Sequence, residues 1–317
     1  EAVLDFTPPD IKADLASKTE LELIHERIRT TPEHQGHGTQ RALILSLLEL
    51  LAEDAISIVP ETGFRQKLLL LIEEPEIYMH PQMCRKMRDT LLSIARSKTA
   101  QVICTTHSPI FIDLADRHDG IAIMKRVGGT IKEEQRTEDL FSGDSTHEAR
   151  SRLRMILDFD PSVNEVFFAR EVCLMEGDCE IAAVDAIGKR LIELNLIKRD
   201  KYIFIRRDLV LVNCRGKWTI AAFQRVLNGF SIPYRVVHDS DEEGESGANQ
   251  VIRELLGGST GRLLIHTPNF EQKIFSETWT KDKPWKATTK IASMTLAQGD
   301  LIKFFEFALG IKINEIS

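Results

Sequence analysis

The sequence predicts an α/β protein with parallel sheets in two successive halves, and three observations lead there. Short aliphatic runs alternate with longer segments whose apolar residues recur at helical spacing. The runs end in acids or small polar residues, as buried strands do where they leave a sheet. The alternation happens twice, with a polar stretch between. At 317 residues the chain is long enough for two domains of about 100–200 residues each. Its composition, 43% hydrophobic and 28% charged, excludes disorder, collagen and coiled coil as whole-chain readings.

In order along the chain, Ile11, Leu15, Leu23, Ile24 and Ile28 predict an amphipathic helix over 11–29. The loop TTPEHQGHG leads to an apolar helix opened by Thr39. Five aliphatics from Leu68 to Ile72, stopped by acids and Pro75, predict a buried strand. A helix after Pro81, a second buried strand at AQVICTT and a third near IAIMKRV complete the first half, with Gly128-Gly129 as a hairpin turn. The polar, aperiodic stretch from Glu133 to Thr146 is the expected linker, and helical pattern resumes through RLRMILDF and VNEVFFAR. The second half reads strand EVCLM, helix EIAAVDAIGKRLIELN, strand DLVLVN, helix TIAAFQRVLN and strand PYRVVHD, the pattern of a parallel sheet. KYIFI reads as strand-forming, and the tail after Phe270 as helical. There is no internal repeat.

Charge and cysteines narrow the function. Forty-one Lys and Arg against 48 Asp and Glu give a net charge of −7, which argues against a globally basic nucleic-acid binder while leaving local basic patches open. Lys198, Arg199, Lys201, Arg206 and Arg207 form one such cluster around KYIFI. Aromatics, at 7%, are too sparse for a single-strand binder driven by stacking; Trp279 and Trp285 could stack on bases, with core packing the expected use. Five cysteines (Cys84, Cys104, Cys173, Cys179, Cys214) without a C-x-x-C pair argue against zinc and for a reducing, cytoplasmic setting. No apolar run nears the roughly 20 residues that cross a bilayer, so no membrane partner is expected. A start at Glu1 rather than Met leads us to expect a longer natural protein.

Two constellations carry chemistry. In the first, a buried strand ends in Glu73-Glu74, the next ends in CTTHSP with His107, and Gly36-His37-Gly38 precedes a helix. Paired acids at a strand end suit Mg²⁺ binding and water polarisation beside a nucleotide phosphate, and a glycine turn opening a helix suits an anion. The plainer alternative is a strand that ends in solvated acids. In the second, EVCLM runs into Glu176-Gly177-Asp178-Cys179-Glu180, where Gly177, able to adopt positive φ and lacking a Cβ, lets the chain turn sharply into the following helix. Once helical, Glu180 lies one turn beyond Glu176. Two strands later PYRVVHD leads to Asp239-Ser240-Asp241, whose acids, at i and i+2, share a strand face. Four such carboxylates repel unless a cation neutralises them, and all-oxygen donors select Mg²⁺ or Mn²⁺. Helix-dipole preference explains Glu180 and part of the run after Asp241; it does not explain E-G-x-x-E and D-x-D each following a buried strand.

On those residues the chain resembles a known family. Gly36-His37-Gly38-Thr39-Gln40-Arg41, Glu73-Glu74-Pro75-Glu76 with His80-Pro81, and Thr106-His107-Ser108-Pro109 resemble the signature loop, acid motif and switch histidine of ABC-type ATPases of the RecF/SMC-like and overcoming-lysogenization-defect (OLD) group. E-G-x-x-E followed by D-x-D resembles the Toprim domain, a Rossmann-like parallel sheet, and ATPase then Toprim is the order in OLD nucleases, including the Gabija nuclease subunit. The resemblance implies the C-terminal part of the ATPase over 1–135, a helical linker over 136–169, a Toprim nuclease domain over 170–270 and a helical extension over 271–317. It implies a divalent-metal-dependent DNA endonuclease with two Mg²⁺ or Mn²⁺ ions about 4 Å apart, serving phage defence or DNA repair. Glu176, Glu180, Asp239 and Asp241 match the family's ligands; Glu271, with Glu245 as rival, would be the further acid. Lys283, or else Lys281 or Lys286, would be its lysine, and Lys217 of Gly216-Lys217 would reach a DNA phosphate. Gly36, Gly38, Glu73, Glu74 and His107 would belong to an ATP–Mg²⁺ site. The phosphate loop G-x-x-x-x-G-K-[ST] is nowhere in the chain. Truncation or decay is the expected cause, and no ATP hydrolysis is expected from this chain alone. A homodimer or higher homo-oligomer through the ATPase part, and a helicase partner, are implied too. The alternatives are a Toprim topoisomerase or primase fragment, the former needing Tyr202 or Tyr234 as nucleophile at a strand edge, and a RecF-like scaffold without catalysis.

Overall fold

The computed structural model describes residues 21–25, 28–57, 68–96, 100–142, 144–241, 247–296 and 299–317. The chain separates into two compact units, Glu1–Phe111 and Ile112–Ser317.

In the first unit, strands β1 (Leu23–His25) and β2 (Ile28–Thr30) pair antiparallel. The helix expected over 11–29 is therefore not formed over its described part; residues 11–20 lie outside the described residues. Ile24 and Ile28 are largely exposed, so their spacing marks no buried stripe, and β-branched residues favour the extended pairing. Helix α1 (His37–Ser57) begins two residues before Thr39. Strand β3 (Leu68–Glu73), helix α2 (Pro81–Arg96) and strand β4 (Ala100–Thr105) form a strand–helix–strand unit with β3 and β4 parallel. These strands are not buried on both faces as expected. Ile72 and Val102 pack on Leu45, Met87 and Leu91, whereas Leu69, Leu71 and Ile103 on the other face are exposed.

The second unit opens with strands β5 (Ala122–Val127) and β6 (Thr130–Gln135), an antiparallel hairpin. Both glycines of the Gly128-Gly129 turn have positive φ, the conformation that such a two-residue turn needs. IAIMKRV is thus β5, half of a hairpin rather than a third strand beside β4. Lys125 of β5 donates to the Phe230 carbonyl at 3.0 Å and pairs with Glu134 at 2.8 Å. Helix α3 (Asp144–Phe159) takes up the end of the expected linker.

The remaining elements build the sheet that positions the site. Strand β7 (Glu171–Met175), helix α4 (Asp178–Glu193), helix α5 (Arg199–Asp208), strand β8 (Leu209–Asn213), helix α6 (Lys217–Gly229), strand β9 (Tyr234–Asp239), helix α7 (Ala248–Leu255) and strand β10 (Leu263–His266) follow in turn. The order is β10-β9-β7-β8, all parallel. Helices α8 (Phe270–Phe275), α9 (Lys283–Ser293), α10 (Asp300–Leu309) and α11 (Ile313–Ile316) complete the helical tail. Alternation along β7 divides the core. Val172 and Leu174 face Ile220, Phe223 and Leu227 of α6 together with Ile252 of α7. Cys173 and Met175 face Ala183 and Ile187 of α4, Ile291 of α9 and Phe304 and Phe305 of α10. Every β7 residue after Glu171 is buried, because β7 has a strand on each side and helices on both faces. The turn into β10 passes Gly257 and Gly258, both at positive φ and with open space beside them.

KYIFI lies in α5 and is not a strand. Tyr202 and Ile205 point to the core at i, i+3 spacing, and Ile203 and Phe204 are exposed; tertiary packing overrides the β propensity of the run. Tyr202 fits because α4 has no side chain at Gly188: an added Cβ there would fall 2.3 Å from the Tyr202 Cζ. The ring is buried and stacks on Phe305 at 6.1 Å, so it has little room to retreat. Gly188→Ala is expected to destabilise the protein by about 1–3 kcal/mol, as overpacked cores do; a melting temperature equal to the parent's would contradict this.

Candidate functional site

Glu176 is the first residue beyond β7, and the sheet fixes its backbone from both sides. Its N–H donates to Val237 at 3.1 Å, and its carbonyl accepts from the Gly216 N–H at 3.0 Å. Gly177, the residue capping α4, enters the helix in extended backbone at φ −146° and does not use the positive φ open to a glycine. A Cβ at this position would lie 3.4 Å from Glu180 Oε2, in van der Waals contact with the carboxylate. Glu180, in the first turn of α4, is only 3% exposed. On the neighbouring strand, Asp239 ends β9 and its N–H donates to Glu176 Oε2 at 2.9 Å. Asp239 Oδ1 accepts from the Phe270 N–H, at the start of α8, at 2.8 Å. Glu271, next in α8, is buried and meets the Lys283 ammonium, at the start of α9, at 2.9 Å.

Four acids from three chain segments therefore share one end of the sheet. Burial, then Asp239, Glu176 and Glu271, push the Glu180 carboxyl up to about 8. Burial, then the charges of Glu176 and Glu271, push Asp239 up to about 7. Burial also raises Glu176. Partial burial is the largest single influence on the Lys283 ammonium and lowers it, but the hydrogen bond and charge of Glu271, with the charge of Asp239, together outweigh it and leave it raised.

Asp241 reaches the site differently from the expectation. β9 stops at Asp239, and Asp241 stands past its end at φ 56°, so it does not share a strand face with Asp239. Its N–H bonds to the Pro268 carbonyl at 3.0 Å, and its carboxylate is ion-paired with Lys217. Lys217, first in α6 behind Gly216 at φ 124°, thus faces an acid of the site. Of the three candidate lysines, Lys283 is the one paired with Glu271. Glu245 lies outside the described residues.

The donor set fits hard divalent cations in chemistry: oxygens throughout, with Glu180 and Asp239 raised toward neutrality by burial and by their acidic neighbours. Among the described residues, no three His, Cys, Asp or Glu side chains close on a common point. The contacts explain this. Asp241 and Glu271 are turned onto lysines, and Glu176 and Asp239 onto backbone N–H groups.

Sequence reasoning missed two buried histidines beneath the acids. His266, opposite Asp239 in the β9–β10 register, is held neutral, with burial and then His238 pushing it down to about 4. Burial lowers His238 as well. Strand alternation in VVHD and LLIH is the only signal that marked them as inward.

The basic cluster is partly committed inside the fold. Arg206 donates to the Leu209 carbonyl at 3.2 Å and to Asp185 at 3.3 Å, and Lys201 to the Ser317 carbonyl at 2.9 Å. Trp279 is core, as expected, and Trp285 is exposed. Tyr202 and Tyr234 are buried rather than at free strand edges.

In the first unit the acid motif and the histidine meet at the carboxyl ends of β3 and β4. His107 Nε2 lies 3.3 Å from Glu74 Oε1. Glu76 accepts from Thr106 Oγ1 at 2.7 Å and from the His107 N–H at 2.8 Å. Glu73 is the last residue of β3, whereas Glu74 leaves the strand at φ 42°. The Gly36 carbonyl accepts the Thr39 and Gln40 N–H groups at 2.9 and 3.1 Å. Gly38 lies within α1, and His37 stacks on Tyr78 of the acid-motif segment at 4.7 Å.

No helix among the described residues is long and apolar enough to cross a membrane. Residues 10–112 match the family model of an AAA ATPase domain, and residues 167–241 that of the overcoming lysogenization defect protein-like TOPRIM domain. The chain is 26% identical over 282 residues to the OLD nuclease of Thermus scotoductus, covering 83% of this chain and 49% of that protein. It is 28% identical over 211 residues to the Old nuclease of Escherichia phage P2, covering 65% and 33% respectively. Over 92 residues it is 35% identical to the endonuclease GajA of Bacillus cereus, covering 26% and 13%. The chain therefore spans about half or less of the relatives it matches.

Proposed function

For a chain that joins an AAA ATPase region to an OLD-like Toprim domain, we propose the activity of a divalent-metal-dependent DNA endonuclease. The observation that carries the reading is the convergence of buried Glu180 and half-buried Asp239, raised to about 8 and about 7, at the end of the parallel sheet where β7 and β9 give way to their following segments. Carboxylates so placed are costly without a cation, and ligands of open α/β sheets bind at these strand ends. Nuclease names among the relatives support a phosphodiester as substrate.

Glu176, Glu180, Asp239, Asp241 and Glu271 would hold Mg²⁺ or Mn²⁺. What two such ions supply at a phosphodiester is an activated water and neutralised charge on the leaving oxygen. The chain's own contribution is orientation. Backbone hydrogen bonds aim Glu176 and Asp239, burial excludes water around Glu180, and Lys283 brings a positive charge to where the scissile phosphate would lie. Lys217 would serve a flanking phosphate. The ATPase region, with Glu74 and His107 in contact, would control the nuclease and pair two copies. A helicase partner and a role in phage defence or DNA repair belong to the same proposal. Burial of Tyr202 and Tyr234 weighs against a covalent tyrosine mechanism.

Plasmid nicking tests the reading. Supercoiled DNA is expected to be nicked with Mg²⁺ or Mn²⁺ and spared with EDTA, and Glu176→Ala or Asp239→Ala is expected to lower the rate at least a hundred-fold, about 3 kcal/mol. Nicking that survives both substitutions overturns the proposal. A covalent protein–DNA adduct would favour a topoisomerase, and metal-independent binding without cleavage would favour a scaffold.

A further inference from the structure

His266 is an imidazole sealed beneath the carboxylate site. It is the last residue of β10, only 3% exposed, and the register sets it opposite Asp239 on the neighbouring strand. Residues paired in this way point to the same face of a sheet. Phe270 and Phe304 meet the ring edge-on, at 5.0 and 5.5 Å between centroids, and phenyl walls offer it no oxygen. Among the described residues neither ring nitrogen has a hydrogen-bond partner. The polar group that Nδ1 faces is the Asp239 carboxyl, whose Oδ1 lies 3.9 Å away, about 1 Å beyond hydrogen-bond length.

A buried N–H without an acceptor is rare and destabilising, and packing alone would be served here by leucine or phenylalanine. The polar ring needs a reason. Burial keeps it neutral, so it carries one N–H. On Nδ1 that proton is aimed at Asp239; on Nε2 it has no partner among the described residues. Asp239 Oδ1 already accepts the Phe270 N–H at 2.8 Å, so both donors act on one oxygen and leave Oδ2 for an ion. The His266 backbone holds the same segment, its carbonyl accepting the Ser240 N–H at 2.8 Å, between Asp239 and Asp241. The other buried histidine is spent elsewhere: His238 Nδ1 donates to the Asp239 carbonyl at 2.7 Å. An ion on Asp239 keeps the carboxyl ionised and makes Oδ1 the stronger acceptor. A shift of about 1 Å then brings the His266 N–H into bonding range.

We infer that His266 is a positioning residue, whose Nδ1–H holds Asp239 Oδ1 when a divalent cation is bound and so presents Oδ2 to the ion. The inference rests on the nuclease reading of the same site. It adds to that reading a residue that lies outside both E-G-x-x-E and D-x-D.

The test compares His266→Leu and His266→Phe, which stay apolar and lose the N–H, with His266→Asn, whose amide N–H can stand where Nδ1–H does. Mn²⁺ affinity is read by calorimetric titration, stability by melting in EDTA, and rate by plasmid nicking. Both apolar variants are expected to bind Mn²⁺ about ten-fold more weakly and to nick about ten-fold more slowly, the usual cost of losing a partner behind a metal ligand. At least one of them should melt no lower than the parent in EDTA, because an unsatisfied buried group has been removed. The asparagine variant should behave oppositely, melting lower because its side chain is smaller while keeping most of the Mn²⁺ affinity. A residue that only packs would move melting and affinity together. Parent-like affinity in the apolar variants, or an asparagine variant as weak as they are, overturns the inference. Nitrogen NMR of labelled histidines checks the parent itself, with the His266 signal identified by its loss in His266→Asn. With Mg²⁺ the ring should carry its proton on Nδ1, and a proton on Nε2 overturns the inference. A parent that binds Mn²⁺ with these responses but nicks no plasmid would tell against the nuclease reading alone. A parent that binds no ion overturns both.

Discussion

Glu180→Gln is expected to make the metal-free protein more stable at pH 8 while abolishing nicking. Glu180 is raised from 4.5 to about 8 in the fold, by burial first and then by its acidic neighbours. Between those values the folded state holds a proton that the unfolded chain has lost, so stability is full below about pH 4.5 and falls as the pH climbs to about 8. Asp239, raised to about 7, adds a second fall in the same direction. Glutamine keeps the shape and removes the ionisation. The gain at pH 8 is on the order of a few kcal/mol, or about 2–4 °C in melting temperature for each kcal/mol in a chain of this size. Mg²⁺ or Mn²⁺ should stabilise the parent more strongly at pH 8 than at pH 5, since ligands must lose protons to bind, and the variant should lose most of that response. Scanning calorimetry with and without the ion across this range checks both statements. A parent whose metal-free stability is flat from pH 5 to 8 refutes the electrostatic account of the site.

Lys283→Met is expected to cut the nicking rate by about 10²–10³, the usual cost of losing one preorganised charge at a reacting centre. The variant separates two roles of that ammonium. In the metal-free fold it is the partner of Glu271, which is buried, and stripping one partner from a buried pair leaves an uncompensated charge. The variant should therefore melt lower than the parent in EDTA. Because a divalent ion can replace the lost charge, added Mn²⁺ should raise its melting temperature by more than it raises the parent's. Loss of rate with metal binding intact, read by calorimetric titration, is the expected split; equal rates would remove Lys283 from the chemistry.

Much of the second sheet was legible because its signals are local. A buried strand, a glycine and an acid one helical turn on produce Glu176 and Glu180 directly, and the register of β7 with β9 brings Asp239 beside them. Glu74 and His107 were legible for the same reason, each lying just past the end of a strand of a parallel pair. Asp241 was predicted near the site for a mistaken reason, since pleating was assumed beyond the point where β9 ends. What failed depended on distant partners. Nothing local in KYIFI says that Tyr202 has a slot opposite Gly188, and nothing in IAIMKRV says that its neighbour is TIKEEQ rather than β4. The exposed face of Leu69, Leu71 and Ile103 was read as core because an aliphatic run specifies hydrophobicity and leaves open how many faces are covered.

The far end of the second sheet, where the turn through Gly257 and Gly258 enters β10, has open space and no acid of the site. All the chemistry sits at the opposite rim. A dye or an affinity handle attached at that turn would stand away from the carboxylate oxygens and could report on the proposed DNA binding without becoming part of it.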